Sequence, residues 1–150
     1  MVRRAVQIFN ELGAQHLIHC GDIGGTGVFD ELLHCPLTFV WGNCDFYDSG
    51  LLAYLKSVKI AEPAERPPTV VTLAGKRIAV FHGHEQGFHR APESLDVQYI
   101  MHGHTHVARD ESANGTRIIN PGALHRARVK SVASLDLAED KLTFHEVDSR

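Results

Sequence analysis

Four short apolar runs in this chain each end in a polar payload, and that repeated punctuation most narrows the folds open to it. His16-Leu17-Ile18-His19-Cys20 runs into Gly21-Asp22, and Leu37-Thr38-Phe39-Val40-Trp41 into Gly42-Asn43-Cys44-Asp45. Arg77–Phe81 is followed by His82-Gly83-His84, and Val97–Met101 by His102-Gly103-His104-Thr105-His106. Short apolar runs bounded by glycine and polar residues read as buried strands. Ligand sites of open α/β sheets lie at the carboxyl ends of strands. A payload repeated at four such ends is hard to explain by packing.

The rest of the chain fills in the frame. Val2, Ala5, Val6, Ile8, Phe9 and Leu12 form an apolar stripe at helical spacing, which Gly13 stops. Val28–Leu33 and Leu51–Leu55 read as short helices, and Pro63 to Pro68 as a connection too short to join two domains. Val70–Leu73 and Arg77–Phe81 make a hairpin around Ala74-Gly75-Lys76. Glu85–Ser94 reads as a mobile segment. Val107–Asp110 with Thr116–Ile119, around Asn114-Gly115, is a further hairpin, closed by Asn120-Pro121-Gly122. Ser131–Leu137 with Lys141–Val147 is the last. Helices alternating with strands early, and hairpins later, predict an α/β protein with two packed sheets and helices outside.

Composition removes several function classes. At 150 residues the chain is expected to be a single domain, 1–150, and its 43% hydrophobic and 22% charged residues suit a soluble globular protein. A net charge of −3 without a basic block gives no electrostatic case for nucleic acid or an anionic membrane. No apolar run reaches the length of a membrane span, and the N-terminus has no signal-peptide pattern. Cys20, Cys35 and Cys44 are odd in number and unpaired in spacing, which fits a reducing cytoplasm. The 11 histidines are the anomaly, and they make a metal centre worth seeking.

Taken singly, each payload has a plain alternative. His-x-His alternation is also one face of a half-exposed strand, Gly-Asp and Gly-Asn are also turns, and His82 could be a satisfied core histidine. Gly103 would let the backbone turn so that neighbouring rings converge. In order and together, Gly21-Asp22, Gly42-Asn43-Cys44-Asp45, His82-Gly83-His84, Gly103-His104-Thr105-His106 and Asn120-Pro121-Gly122 resemble the calcineurin-like metallophosphoesterases, in particular their small bacterial and archaeal phosphodiesterase branch. Cys44 stands where many members have histidine, and cysteine there is common in that branch.

The resemblance implies an αββα sandwich of two packed mixed sheets and a two-metal centre that hydrolyses a phosphodiester. Asp22 would bridge both ions, Asn43, His82 and His104 would complete the second ion's shell, and His106 would bind the first. Asp45 would orient the site from behind it. Cys44 in place of histidine weakens the case for a protein-supplied general acid, so good leaving groups would be favoured. Nitrogen and oxygen ligands suit a divalent transition ion, with manganese favoured and iron, zinc, nickel or cobalt as alternatives. The substrate would be a small phosphoester.

One family motif is absent. No aspartate here has a histidine two residues later, whereas relatives carry Asp-x-His after their first strand, supplying two ligands of the first metal. The expectations are a sheet lacking that strand, unpaired edges that favour self-association, and a natural product that starts upstream of Met1. If the short form is the real one, a mononuclear or inactive site follows. The competing reading is a non-catalytic, protein-binding scaffold of the same fold.

Overall fold

The computed structural model describes residues 1–148. Its centre is a five-stranded mixed sheet in the order β3 (Thr69–Leu73), β4 (Lys76–Val80), β5 (Tyr99–Met101), β7 (Thr116–Asn120), β6 (Arg109–Ala113). β4, β5 and β7 run parallel, and the two outer strands are antiparallel to their neighbours. The period-2 alternation of strand side chains sorts its apolar residues onto two faces. Ala79, Phe81, Ile100 and Ile118 pack on one side with Val97 and Ala91. Ile78, Val80, Tyr99 and Ile119 pack on the other.

That second face carries the other layer, which consists of two pieces. β1 (Leu17–His19) pairs in parallel with β2 (Leu37–Phe39), and β8 (Ser131–Asp136) pairs antiparallel with β9 (Lys141–Glu146). Ile18 and Cys20 from the first piece, and Leu135 and Leu142 from the second, meet the same apolar face. Among the described residues β1 is hydrogen-bonded as a strand only to β2. Helix α1 (Val2–Glu11) spans the pieces from outside: Ala5 packs with Val132 and Val147, and Val6 with Leu17 and Leu32. Helices α2 (Thr26–Leu32) and α3 (Ser49–Ser57) bury Phe29 and Leu55 against Phe39 and Ile23. The expected arrangement of packed sheets with external helices is what the chain adopts.

Three local readings need adjusting. Glu85–Ser94 is built, with a 3-10 turn at Phe88–Arg90 running into α4 (Ala91–Ser94). Phe88 anchors it against the rings of Phe81 and His102, at centroid distances of 5.4 and 4.8 Å. β6 begins at Arg109 and extends through Glu111 and Ser112, residues whose polarity hides a strand at the sheet's edge. Helix α3 starts earlier than its apolar run because the Asp48 carboxylate caps it, accepting from Leu51 N–H at 2.9 Å.

Candidate metal centre

All four payloads emerge at the carboxyl ends of parallel strands. The β4–β5–β7 ladder continues past the strands proper: Phe81 N–H donates to Met101 O, His102 N–H to Ile119 O, and Gly103 N–H to His82 O. That register sets His82-Gly83-His84 beside Gly103-His104. In the other layer Val40 N–H donates to His19 O, which brings Gly21-Asp22 beside Gly42-Asn43. Glycines make the approach of the layers feasible. A Cβ on Gly103 would lie 3.0 Å from Cys20 O, and one on Gly42 would collide with the Asp22 carboxylate.

His82 is the hub. It is buried, and its Nδ1 donates to Cys20 O at 2.6 Å. That bond commits the ring proton and leaves the Nε2 lone pair facing inward. Around Nε2 stand Asn43 Oδ1 at 3.0 Å, His104 Nδ1 at 3.2 Å and Asp22 Oδ2 at 3.5 Å. A neutral Nε2, an amide oxygen and a carboxylate oxygen are all acceptors, so they repel unless a proton or a cation lies among them. Metal–ligand bonds of about 2.0–2.2 Å put neighbouring ligand atoms roughly 2.8–3.6 Å apart, and the observed spacings fall in that interval. In the structure as it stands the donors contact one another. Among the described residues no three His, Cys, Asp or Glu side chains already surround an open centre, so small side-chain rotations must accompany loading. Donor type and spacing fit a divalent ion held by Asp22, Asn43, His82 and His104.

The surrounding loops are held firmly. Asp45 accepts from Ile23 N–H at 2.7 Å and Gly24 N–H at 3.2 Å through one oxygen, and from Gly42 N–H at 2.8 Å through the other. It thereby ties the Asp22 loop to the Asn43 loop. Cys44 is exposed; its backbone N–H donates to Asp22 Oδ1 at 2.9 Å, and the negative charge of Asp22 pushes its thiol pKa up. Asp22, His104 and His106 all have positive φ, at 54°, 64° and 57°. Such backbone persists only where neighbours over-determine it, and it gathers at functional sites. The sharp turn expected at Gly103 therefore falls on His104, while Gly103 serves close packing.

The structure gathers Asp22, Asn43, His82 and His104, with Cys44 and Asp45 on the same loops. It does not bring His106 into contact with that group; His106 Nδ1 donates instead to Arg126 O at 3.3 Å. One supporting residue, Glu85, escaped the sequence reading, and another, Asn120, was noted there only as part of a motif. Glu85 accepts from the N–H groups of His82 and Gly83, both at 2.6 Å, and so closes the loop beneath the hub. A carboxylate three residues past a strand-end histidine was the available signal. Asn120, fully buried, donates to Gly103 O at 2.8 Å and Thr105 Oγ1 at 3.1 Å, latching the histidine loop. The His84 ring also faces the hub, 5.2 Å from His82 and 6.1 Å from His104.

Comparison with known proteins agrees with this geometry. The chain is 31% identical over 143 residues to the probable metallophosphoesterase YsnB of Bacillus subtilis, covering 88% of this chain and 74% of that protein. It is 29% identical over 124 residues to a phosphodiesterase of Methanocaldococcus jannaschii, covering 81% and 74%. A solved archaeal phosphodiesterase superposes with a TM-score of 0.84 at 23% identity, covering 97% of this chain and 91% of that one. The family model of the calcineurin-like phosphoesterase superfamily domain matches residues 1–140. With strand ends, donor set and relatives in agreement, this chain belongs to the calcineurin-like phosphoesterase superfamily.

Proposed function

We propose that the chain is a metal-dependent phosphodiesterase whose reaction takes place at the Asp22–Asn43–His82–His104 cluster. The observation that carries this is the convergence of Asn43 Oδ1, His104 Nδ1 and Asp22 Oδ2 within 3.5 Å of His82 Nε2. The naming of two relatives as a phosphodiesterase and a probable metallophosphoesterase supports the reaction class. Divalent metal use follows from the family, and manganese is our assignment, on oxygen and imidazole donors without thiolate. A divalent ion held by Asp22, Asn43, His82 and His104 would supply positive charge for the phosphoester oxygens and lower the pKa of a water nucleophile.

The protein's own groups do the rest. Asp22 and Asn43 offer oxygen donors, and His82 and His104 offer nitrogen. Asp45 acts as a positioning residue through backbone amides on both loops. The Cys44 thiol, its pKa raised by Asp22, stays protonated near neutral pH. A thiol is a poor match for protonating a strongly basic alkoxide, so diesters with acidic leaving groups should turn over fastest. His106, which bonds the Arg126 carbonyl outside the cluster, is the donor that the resemblance assigns to a second ion. We take residues 1–150 as one domain acting in the cytoplasm on a small phosphoester, with self-association favoured by the free edge of β1. Among the described residues no helix is long and apolar enough to cross a membrane.

The test is metal content per chain together with Mn2+-dependent hydrolysis of bis(p-nitrophenyl) phosphate. Asp22→Ala and His104→Ala should lose both. His16→Ala and His145→Ala should lose neither, because those rings bond Thr38 and Ser134 away from the cluster. Retention of metal and activity by Asp22→Ala would overturn the assignment.

A further inference from the structure

One imidazole lies against the four-donor cluster without belonging to it. The His84 ring stands across two of the donors, its centroid 5.2 Å from that of His82 and 6.1 Å from that of His104. Its backbone is seated firmly. Gly83, at a φ of 113°, packs so closely on the histidine loop that an added Cβ would stand 3.3 Å from His102 Nδ1 and 3.4 Å from His104 Cβ. Glu85 fixes the same turn by accepting from the N–H groups of His82 and Gly83. The end of β4 thus delivers two rings to one place: His82 is buried, and the His84 side chain is 38% exposed.

The hydrogen-bonding capacity of the His84 ring is unspent. Glu85 has both oxygens on backbone amides, and His84 Nδ1 stands 4.0 Å from Glu85 Oε2, beyond hydrogen-bond length. Among the described residues the ring has no hydrogen-bond partner. Histidines elsewhere in the chain have theirs: His16 at Thr38, His34 at Glu31, His106 at Arg126 and His145 at Ser134. A neutral imidazole carries one N–H in either tautomer, so donation needs no change of protonation. A donor fixed beside the cluster and open to solvent is placed to meet oxygens that arrive from outside.

Building on the phosphodiesterase reading above, we infer that His84 is a substrate-binding residue of this site. Its ring N–H donates to a non-bridging oxygen of the phosphoester seated at the four-donor cluster. The imidazole keeps its proton throughout, so the contact holds the phosphoryl group in place and no bond is made or broken at His84.

The experiment compares His84→Ala, His84→Gln and His89→Ala with the wild-type chain. Each is measured for bound manganese, thermal midpoint, binding of inorganic phosphate to the manganese-loaded protein, and kcat and KM on bis(p-nitrophenyl) phosphate. Loss of one hydrogen bond to a charged oxygen predicts a rise of roughly 10–100-fold in KM and in the phosphate dissociation constant for His84→Ala, with kcat within about threefold of wild type. Manganese content and midpoint should stay at the wild-type level. His84→Gln restores a neutral N–H donor and should recover part of the loss. His89→Ala, which removes a nearby exposed ring that rests on Phe88, should match wild type. Loss of manganese in His84→Ala would make the ring a metal ligand and overturn the inference. A fall in kcat alone, unchanged phosphate binding, or no recovery in His84→Gln would overturn it too, and each of these leaves the phosphodiesterase reading intact. A wild-type chain that neither binds manganese nor hydrolyses the diester would overturn both.

Discussion

Asp45 shapes the site without being one of its four donors. Its two oxygens serve three backbone N–H groups on two loops, Ile23 and Gly24 on one and Gly42 on the other. Asp45→Ala leaves those donors without their acceptor and should cost about 2–4 kcal/mol of stability, read by urea unfolding. It should also weaken manganese binding, because Asp22 and Asn43 are no longer held in register. Asp45→Asn keeps one acceptor oxygen and should fall between the two. A Asp45→Ala protein as stable as wild type would remove the positioning role. The resemblance implied an orienting role for Asp45, and the bonds it makes to both loops are compatible with one. Glu85 offered only its place three residues past His82 as a signal. It looks like any surface glutamate until the β4 end turns its backbone donors toward it.

Among elements, the apolar join between the five-stranded sheet and the β8–β9 hairpin carries an ionic network at its rim. Arg117 on β7 binds both oxygens of Asp110 at 2.8 Å and reaches Asp140 at 2.6 Å, while Tyr99 OH donates to Asp140 at 2.8 Å. Hydrogen bonding by Arg117 lowers the Asp110 pKa; hydrogen bonding by Tyr99, then Arg117, lowers that of Asp140. Folding thus favours the ionised carboxylates, and on acidification the unfolded chain takes up protons first. The contribution is whole above the ordinary carboxylate range near pH 4 and is lost as pH falls through it. Arg117→Met should cost about 1 kcal/mol at neutral pH, discounted for a surface setting, and the variant should lose less stability between pH 5 and pH 3 than wild type. Equal acid slopes in urea midpoints would contradict this. Helix α3 offers a second check. Asp48→Ala removes its cap and should cost about 1 kcal/mol, with activity preserved because the Asp48 carboxylate bonds the helix backbone at Leu51 and none of the four donors.

At the scale of the whole molecule, parallel strands bring distant residues together. The layers were legible because strand periodicity shows in runs such as Lys76–Val80, whose successive residues Ile78 and Ala79 face different cores. The convergence of Asp22, Asn43, His82 and His104 was legible as family likeness, and the ladder extending past Phe81 and Met101 gives it a physical cause. The 3-10 turn at Phe88 was not legible, since its stability comes from Phe81 and His102, contacts that no local pattern records. The division of the second layer into β1–β2 and β8–β9 leaves α1 to bridge the halves. The four donors, carried by both layers, must therefore act as one site. The most direct measurement is metal per chain after manganese loading and gel filtration, for wild type and Asp22→Ala side by side, with diester hydrolysis assayed on the same samples. We predict manganese in stoichiometric amount and hydrolysis in wild type, and neither in a folded Asp22→Ala variant. Folded wild-type protein that emerges metal-free and inactive would contradict the account and leave the scaffold reading in its place.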